Sequence, residues 1–376
     1  MRGTPLAVLA MVRALTSLGH AVDLLSYPQG AAVDVPGLTH RRSLGLPVGH
    51  VKAGPSLAKL LLDVPFLLQA CWLMAVGRYD VLHAVEEAAH LAAPFARLLG
   101  LPFIADVDSS IPDQLRYLGF ARRGLLPWLA ERLEAHALRH ATVNVTVCAS
   151  LTDAVRARAP DVPVFQVEDP PLVDPMAPAD PVAAARLRAE LGLTEGPVVL
   201  YSGNFEPYQG VDLLVDAAAL VPEARFLFMG GEESDVEGLK ARASAAGVAE
   251  RCRFSGKRPP SELPAFLGLA DVVVSPRSRG ENTPFKIFTY LASGKPLVAT
   301  RIATHTQLLD DALAILVEPT PSGLASGIRR ALADPEDAAA RAARGRDLVD
   351  REYGPARHAE KVRRAYEEVA RRIRSR

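Results

Sequence analysis

The stretch RSRGENTPFKIFTYLASGKPLVAT, residues 277–300, decides how the chain is to be read. The apolar run at 272–275 reads as a strand, and the polar residues that follow read as the loop leaving it. Thr283 and Pro284 then read as the N-cap and first residue of a helix, since a hydroxyl satisfies an orphan amide and proline needs none there. Gly294 stops that helix, and 297–300 is the next strand. Strand, polar loop and helix start together offer backbone N–H groups and the positive end of a helix dipole to a phosphate. Lys286, one turn in, adds a full positive charge at the same place.

Working outward, the chain alternates helix and strand nearly throughout, which predicts parallel sheets covered by helices. Ahead of this block come strands at 198–202, 225–229, 252–255 and 271–275, separated by helices at 211–220, 236–246 and 261–269. In the amino half a helix from Thr4-Pro5 ends at Gly19, and strands are expected at 21–27, 79–83, 103–107, 143–148 and 164–167. Helices fill 86–99 and 125–140, and Ser150 caps a short one. Five prolines between 170 and 181 break the pattern and mark a linker. The expected class is α/β, with two doubly wound Rossmann-like domains facing across a cleft. The boundaries are an N-terminal domain at 1–168, a linker at 169–181, a C-terminal domain at 182–350, and a final helix at 351–376 packing back on the first domain. Only Met1-Arg2-Gly3 precede the first helix, so the expectation is that a first strand is encoded upstream of this start.

Composition narrows the class further. With 376 residues, 43 cationic and 43 acidic, the chain has no electrostatic reason to bind nucleic acid. Cys71, Cys148 and Cys252 lie far apart without metal-ligand spacing and read as buried thiols of a reducing compartment. The apolar stretch at 60–76 contains Asp63, Pro65 and Gln69 and is too broken to span a bilayer, so it reads as a core or interface helix. The basic C-terminal helix is diluted by Glu360, Glu367 and Glu368 and reads as a solvated face. The placement is cytoplasmic, with weak peripheral contact at the inner face of the membrane as the secondary reading.

These residues resemble the retaining GT-B glycosyltransferases of family 4, in a bacterial branch with a variant motif. The stretch Ala292-Ser293-Gly294-Lys295-Pro296 is similar to the family's A-x-G-x-P and sets the register of a signature with two glutamates seven residues apart. Glu281 falls on the first and inherits a catalytic place beside the donor sugar; Thr289 falls on the second, which holds the ribose in the family. The family's G-R-x-x-x-x-K-G loop, which grips the diphosphate, is matched by Gly203 to Gly210, with neutral Asn204 and Gln209 at the two cationic positions. Lys286, Arg277, Arg279 and the backbone from Asn282 and Thr283 onward are the available replacements. Gly231 in the Gly230-Gly231 pair is similar to the small-residue loop beside the nucleotide, and Arg258 stands where the family meets the base.

In the amino half Asp106 and Asp108 leave the end of a strand and are expected to point toward the cleft, Asp108 with a catalytic part and Asp106 on the acceptor side. His83 resembles the family's His-Ala-His position, with Val85 at the second histidine, and Gly3 reads as the remnant of a glycine-rich loop. The resemblance implies an enzyme that moves a hexose from a UDP- or GDP-sugar to a glycan or lipid-linked hydroxyl, with no metal and no cofactor beyond the donor. Two rivals stay open: a nucleotide-sugar epimerase or hydrolase on the same fold, and a non-catalytic nucleotide-sugar binder. A dinucleotide oxidoreductase is disfavoured, because no G-x-G-x-x-G follows any strand.

Overall fold

The computed structural model describes residues 3–30, 32–45, 57–110, 112, 125–172, 181–193, 195–280 and 282–375. The chain divides into two compact units, one of residues 6–168 with 358–376, the other of residues 1–5 with 169–357.

The first unit runs α1 (Gly3–Ser17), β1 (Val22–Ser26), β2 (Leu38–Arg42), α2 (Leu57–Val76), β3 (Leu82–Val85), α3 (Glu87–Leu98), β4 (Phe103–Val107), α4 (Leu125–His140), β5 (Val143–Thr146), α5 (Ala149–Arg158) and β6 (Val164–Gln166). Strands β3-β4-β5-β6 form a parallel sheet, and β1 pairs in parallel with β2. Every residue of β4 and β5 is buried, as expected of parallel strands covered on both faces. Alternation sends Phe103, Ala105 and Val107 into a core with α3, α4 and α5, while Ile104 turns to the opposite face.

The second unit continues with α6 (Pro181–Glu190), β7 (Val198–Gly203), α7 (Val211–Ala219), β8 (Arg225–Gly230), α8 (Glu233–Ala245), β9 (Cys252–Gly256), α9 (Leu263–Leu269), β10 (Val272–Ser275), α10 (Phe285–Ala292), β11 (Leu297–Thr300), α11 (Ala303–Thr306), β12 (Ile315–Val317), α12 (Pro321–Ala333) and α13 (Pro335–Glu352). Its six parallel strands lie in the order β12-β11-β10-β7-β8-β9. Thr320 caps α12 by accepting from the Gly323 N–H at 3.0 Å, and Pro321 follows at the position where a missing N–H costs nothing. The last helix, α14 (Pro355–Arg374), places Val362, Ala365 and Val369 with Ile104, Val143 and Val145 of the first unit. Its arginines pair along the helix, Arg363 and Arg364 with Glu360, and Arg371 and Arg372 with Glu368.

Several elements differ from expectation. Strand β2 carries Leu-Thr-His-Arg-Arg and no apolar run, so periodicity misses it; it forms by pairing Val22 to Leu38 through Ser26 to Arg42. Strand β3 sits three residues later than expected, in register with β4. Cys148, not Ser150, is the N-cap of α5, and Pro181 opens a helix rather than closing a linker. Thr283 is not the N-cap of α10: Pro284 holds that place in an extended conformation, and no side chain caps the helix. Among the described residues no helix is long and apolar enough to cross a membrane.

Candidate functional site

In the second unit, counting its own strands from one, the sheet order is 3-2-1-4-5-6, and the chain leaves the first and fourth strands, β7 and β10, toward opposite sides. In doubly wound sheets the crevice at the carboxyl ends of those two strands holds the ligand. β7 ends on Gly203 and the loop after it carries Asn204 and Gln209, while the loop after β10 carries Arg277, Asn282 and Thr283 before α10 begins.

The glycines here are demanded by geometry. Gly230 and Gly231 have φ of 120° and 80°, and a Cβ on either would collide, with the Gly203 carbonyl oxygen or the Phe205 ring. The tip of the sheet is therefore bare backbone. Asn204 is a turn residue, its carbonyl accepting from Tyr201 Oη at 2.6 Å and its Oδ1 from the Glu206 N–H at 3.4 Å.

Lys286 spans the switch point. Its Nζ donates to Gln209 Oε1 at 3.1 Å and sits 3.8 Å from the centroid of the Tyr201 ring. The ring is held from its own hydroxyl, and the neighbouring Tyr290 Oη accepts from the Ser202 N–H at 2.7 Å. Among the described residues no carboxylate pairs with Lys286. Burial, and after it the nearby Arg277 guanidinium, push its ammonium well below the ordinary lysine range. Lys286 thus links α10 to Gln209 in the loop after β7.

Arg277 is buried and organises the second loop. It donates to the Arg279 carbonyl at 2.7 Å, to the Asn282 carbonyl at 3.2 Å and to Asn282 Oδ1 at 3.0 Å, and it lies over the Tyr208 ring at 5.2 Å. Behind it is a polar support that sequence reasoning misses. His305 is fully buried, with Nε2 2.9 Å from Ser275 Oγ and Nδ1 2.8 Å from the Thr300 carbonyl, and Thr300 Oγ1 donates to the Arg277 carbonyl. Burial drives His305 down to about 4. The unfolded chain then binds the proton that the fold rejects, so this stability is complete above about pH 6.5 and lost toward pH 4, about 3 kcal/mol in all. Urea unfolding at pH 7.5 and 5 is expected to show a smaller loss in His305→Asn than in the parent protein.

The remaining residues scatter. Thr289 is buried, and its hydroxyl accepts from the Leu172 N–H at 3.1 Å, tying α10 to the linker rather than opening to the crevice. Arg258 pairs with Glu190 at 2.6 Å and Glu262 at 3.4 Å. Thr283 is buried. Glu281 lies outside the described residues. Gly3 opens α1 and groups with the second unit. In the first unit Asp106 does not open at the strand end as expected: Oδ2 meets His83 Nε2 at 2.9 Å on the face covered by α14. Asp108 is buried just beyond β4. Glu86, also missed by sequence reasoning, follows β3 with φ of 51° and accepts from Ser109 Oγ at 2.8 Å.

Residues 184–348 match the family model for glycosyl transferases group 1, and residues 2–168 match that for a glycosyl transferase 4-like domain. An alpha-D-kanosaminyltransferase of Streptomyces kanamyceticus is 28% identical over 64% of this chain and 64% of its own length. A GDP-mannose-dependent phosphatidylinositol monomannoside mannosyltransferase of Mycolicibacterium smegmatis is 35% identical over 47% of this chain. The chain thus spans half to about two thirds of these relatives' length. Among solved structures, a sucrose-phosphate synthase from Thermosynechococcus elongatus superposes with a TM-score of 0.79 at 20% identity, covering 98% of this chain and 94% of that one. Anabaena HepE in complex with UDP and glucose gives 0.74 at 16% identity, over 96% and 95% of the two chains. With both halves matched by this family's models and the whole chain sharing its fold, the protein belongs to the group 1 glycosyltransferases of GT-B architecture.

Proposed function

We propose that the protein is a retaining, metal-independent glycosyltransferase that moves a hexose from a UDP- or GDP-sugar to a hydroxyl of a glycan or lipid-linked acceptor. The observation that carries this reading is Lys286, a desolvated cation with no carboxylate partner among the described residues, held at the switch point of a Rossmann-like sheet. A leaving diphosphate gains charge as the glycosidic bond breaks, and a cation already fixed in place receives it without reorganising solvent. The GDP-mannose dependence of one relative and the UDP and glucose bound in one structural neighbour support a nucleotide diphosphate sugar as donor. Glu281 is assigned to position the donor sugar near the reacting carbon. The acceptor hydroxyl attacks from the leaving-group face, and its proton passes to the departing phosphate.

A thermal-shift screen of UDP, GDP, ADP and dTDP tests the donor assignment. Selective stabilisation by UDP or GDP is expected, and no response to any of the four would remove the donor site. Conversion of the nucleotide-sugar at full rate without any acceptor would replace transfer by epimerisation or hydrolysis.

The reading also places the protein at the inner membrane face, where a lipid-linked acceptor resides. Between residues 61 and 76 every exposed side chain of α2 is apolar: Leu61, Val64, Leu68, Trp72, Ala75 and Val76. Its polar residues turn inward, Asp63 to the Tyr27 hydroxyl and Gln69 to the Arg42 carbonyl. An outward apolar stripe with a tryptophan is suited to the lipid boundary. Co-sedimentation with phosphatidylglycerol vesicles is expected for the parent protein and not for the Leu68→Glu, Trp72→Glu variant; equal pelleting of the two would refute this placement.

A further inference from the structure

Glu86 turns β3 into α3 within a single residue. Its N–H donates to the Asp106 carbonyl at 2.8 Å, extending the ladder to β4, while its own carbonyl already accepts from the Ala89 N–H at 3.0 Å, opening the helix. No loop separates the two elements, so the whole change of direction falls on one pair of angles, φ 51° and ψ −126°. Glycine reaches that region readily, whereas a Cβ crowds the backbone there. Glu86 is the one residue other than glycine with positive φ among the described residues.

The usual structural use of an acidic side chain at this place is missing. Glu86 holds the N-cap position of α3, yet its side chain caps no backbone N–H. The half-buried carboxylate reaches across the end of the sheet instead, where Oε1 accepts from Ser109 Oγ at 2.8 Å, beyond β4. Tyr27, just past β1, shares this place: burial first, then Asp63, Glu87 and Glu86, hold its phenol above the ordinary tyrosine range. Chain leaving the carboxyl ends of β1, β3 and β4 thus converges around Glu86, and that end of a parallel sheet is where ligands bind. A strained strand-to-helix elbow is also how α/β-hydrolases present a nucleophile at the tip of a sheet. Backbone strain of this kind gathers at functional sites.

We propose that Glu86 binds the acceptor: its carboxylate receives the hydrogen bonds of a vicinal pair of hydroxyls on a sugar ring and so holds a neighbouring hydroxyl toward the donor. An ionised carboxyl only accepts, through two oxygens with about four lone-pair directions, which suits paired O–H donors rather than an anionic or apolar group. The acceptor role rests on the transferase reading; the strain at the elbow does not.

The full chain and two variants, Glu86→Gly and Glu86→Gln, test the assignment. Glycine adopts the elbow's angles without strain, so Glu86→Gly is expected to unfold at the same or a higher urea concentration than the parent protein, although it loses the Ser109 bond. Glu86→Gln keeps an oxygen for Ser109 and loses the charge. Methyl α-D-glucopyranoside and methyl α-D-mannopyranoside serve as acceptor probes. With them the parent is expected to release UDP from UDP-glucose or GDP from GDP-mannose faster than without, and both variants to lower that acceptor-dependent rate roughly tenfold or more at unchanged nucleotide affinity. A clear fall of the urea midpoint in Glu86→Gly would make the residue a structural staple and overturn the proposal. Acceptor-dependent release retained in either variant, or absent from the parent with both glycosides, overturns it too. If the parent binds neither UDP nor GDP, the transferase reading falls and the acceptor role with it, while the urea midpoints still report the strain.

Discussion

Lys286→Met is expected to weaken the binding of a nucleoside diphosphate roughly 10- to 100-fold and to make the ligand-free protein more stable by about 1 kcal/mol or more. The opposed signs follow from the environment. In the empty protein the ammonium has given up water for one amide oxygen and one aromatic face, which return less than hydration does. Methionine fills similar space without that cost. With a diphosphate present the same desolvation strengthens the attraction, and the charge-assisted bonds are lost in the variant. The pH dependence has a defined sign. The folded-state pKa lies below the ordinary lysine value, so the unfolded chain carries a proton that the fold rejects. The ligand-free protein therefore gains stability as pH rises from the lowered value toward about 10.4, and Lys286→Met loses that slope. Urea unfolding at pH 7 and 9.5 checks both statements.

Glu281→Ala is expected to reduce kcat about 10²- to 10³-fold while leaving the donor KM nearly unchanged, the pattern of an interaction made chiefly in the transition state. The case for the residue comes from its neighbours. Gly280 has φ of 137°, and a side chain there would run into the Arg277 guanidinium. Asn282 is tied to the same guanidinium through both its carbonyl and its side chain. The residues on either side of Glu281 are thus set against one buried arginine, whose carbonyl accepts from Thr300 Oγ1, while the Thr300 carbonyl in turn meets His305 Nδ1. Steady-state kinetics with UDP-glucose and GDP-mannose decide it; near-normal kcat would remove Glu281 from the chemistry.

The second unit was largely legible in the sequence because most of its strands are short apolar runs, two of which, β7 and β8, close on glycine. Residues 277–300 yielded the strand, the loop and the helix stop at Gly294, and placed Lys286 in the first turn of α10. What the sequence conceals is contact across distance. The bond from Lys286 to Gln209 joins residues 77 apart, and the one from Tyr366 to His83 joins residues 283 apart, so neither leaves a local pattern. The Thr289 hydroxyl is similarly committed to Leu172, which local reading cannot foresee. The cap of α10 was misjudged for a different reason. Threonine before proline suggests a cap, but here the proline itself is extended at ψ 129° and the helix begins only at Phe285.

The measurement that bears most directly on the account is calorimetric titration of UDP and of GDP into the parent protein and Lys286→Met at pH 8.5, each in two buffers of different ionisation enthalpy. If Lys286 is the counter-charge of the diphosphate, one nucleotide binds the parent protein and binds the variant roughly 10- to 100-fold more weakly, and any proton uptake on binding is confined to the parent, because the anion favours the ammonium. Equal affinity and equal proton uptake in the two proteins, or no binding of either nucleotide to the parent, would contradict it.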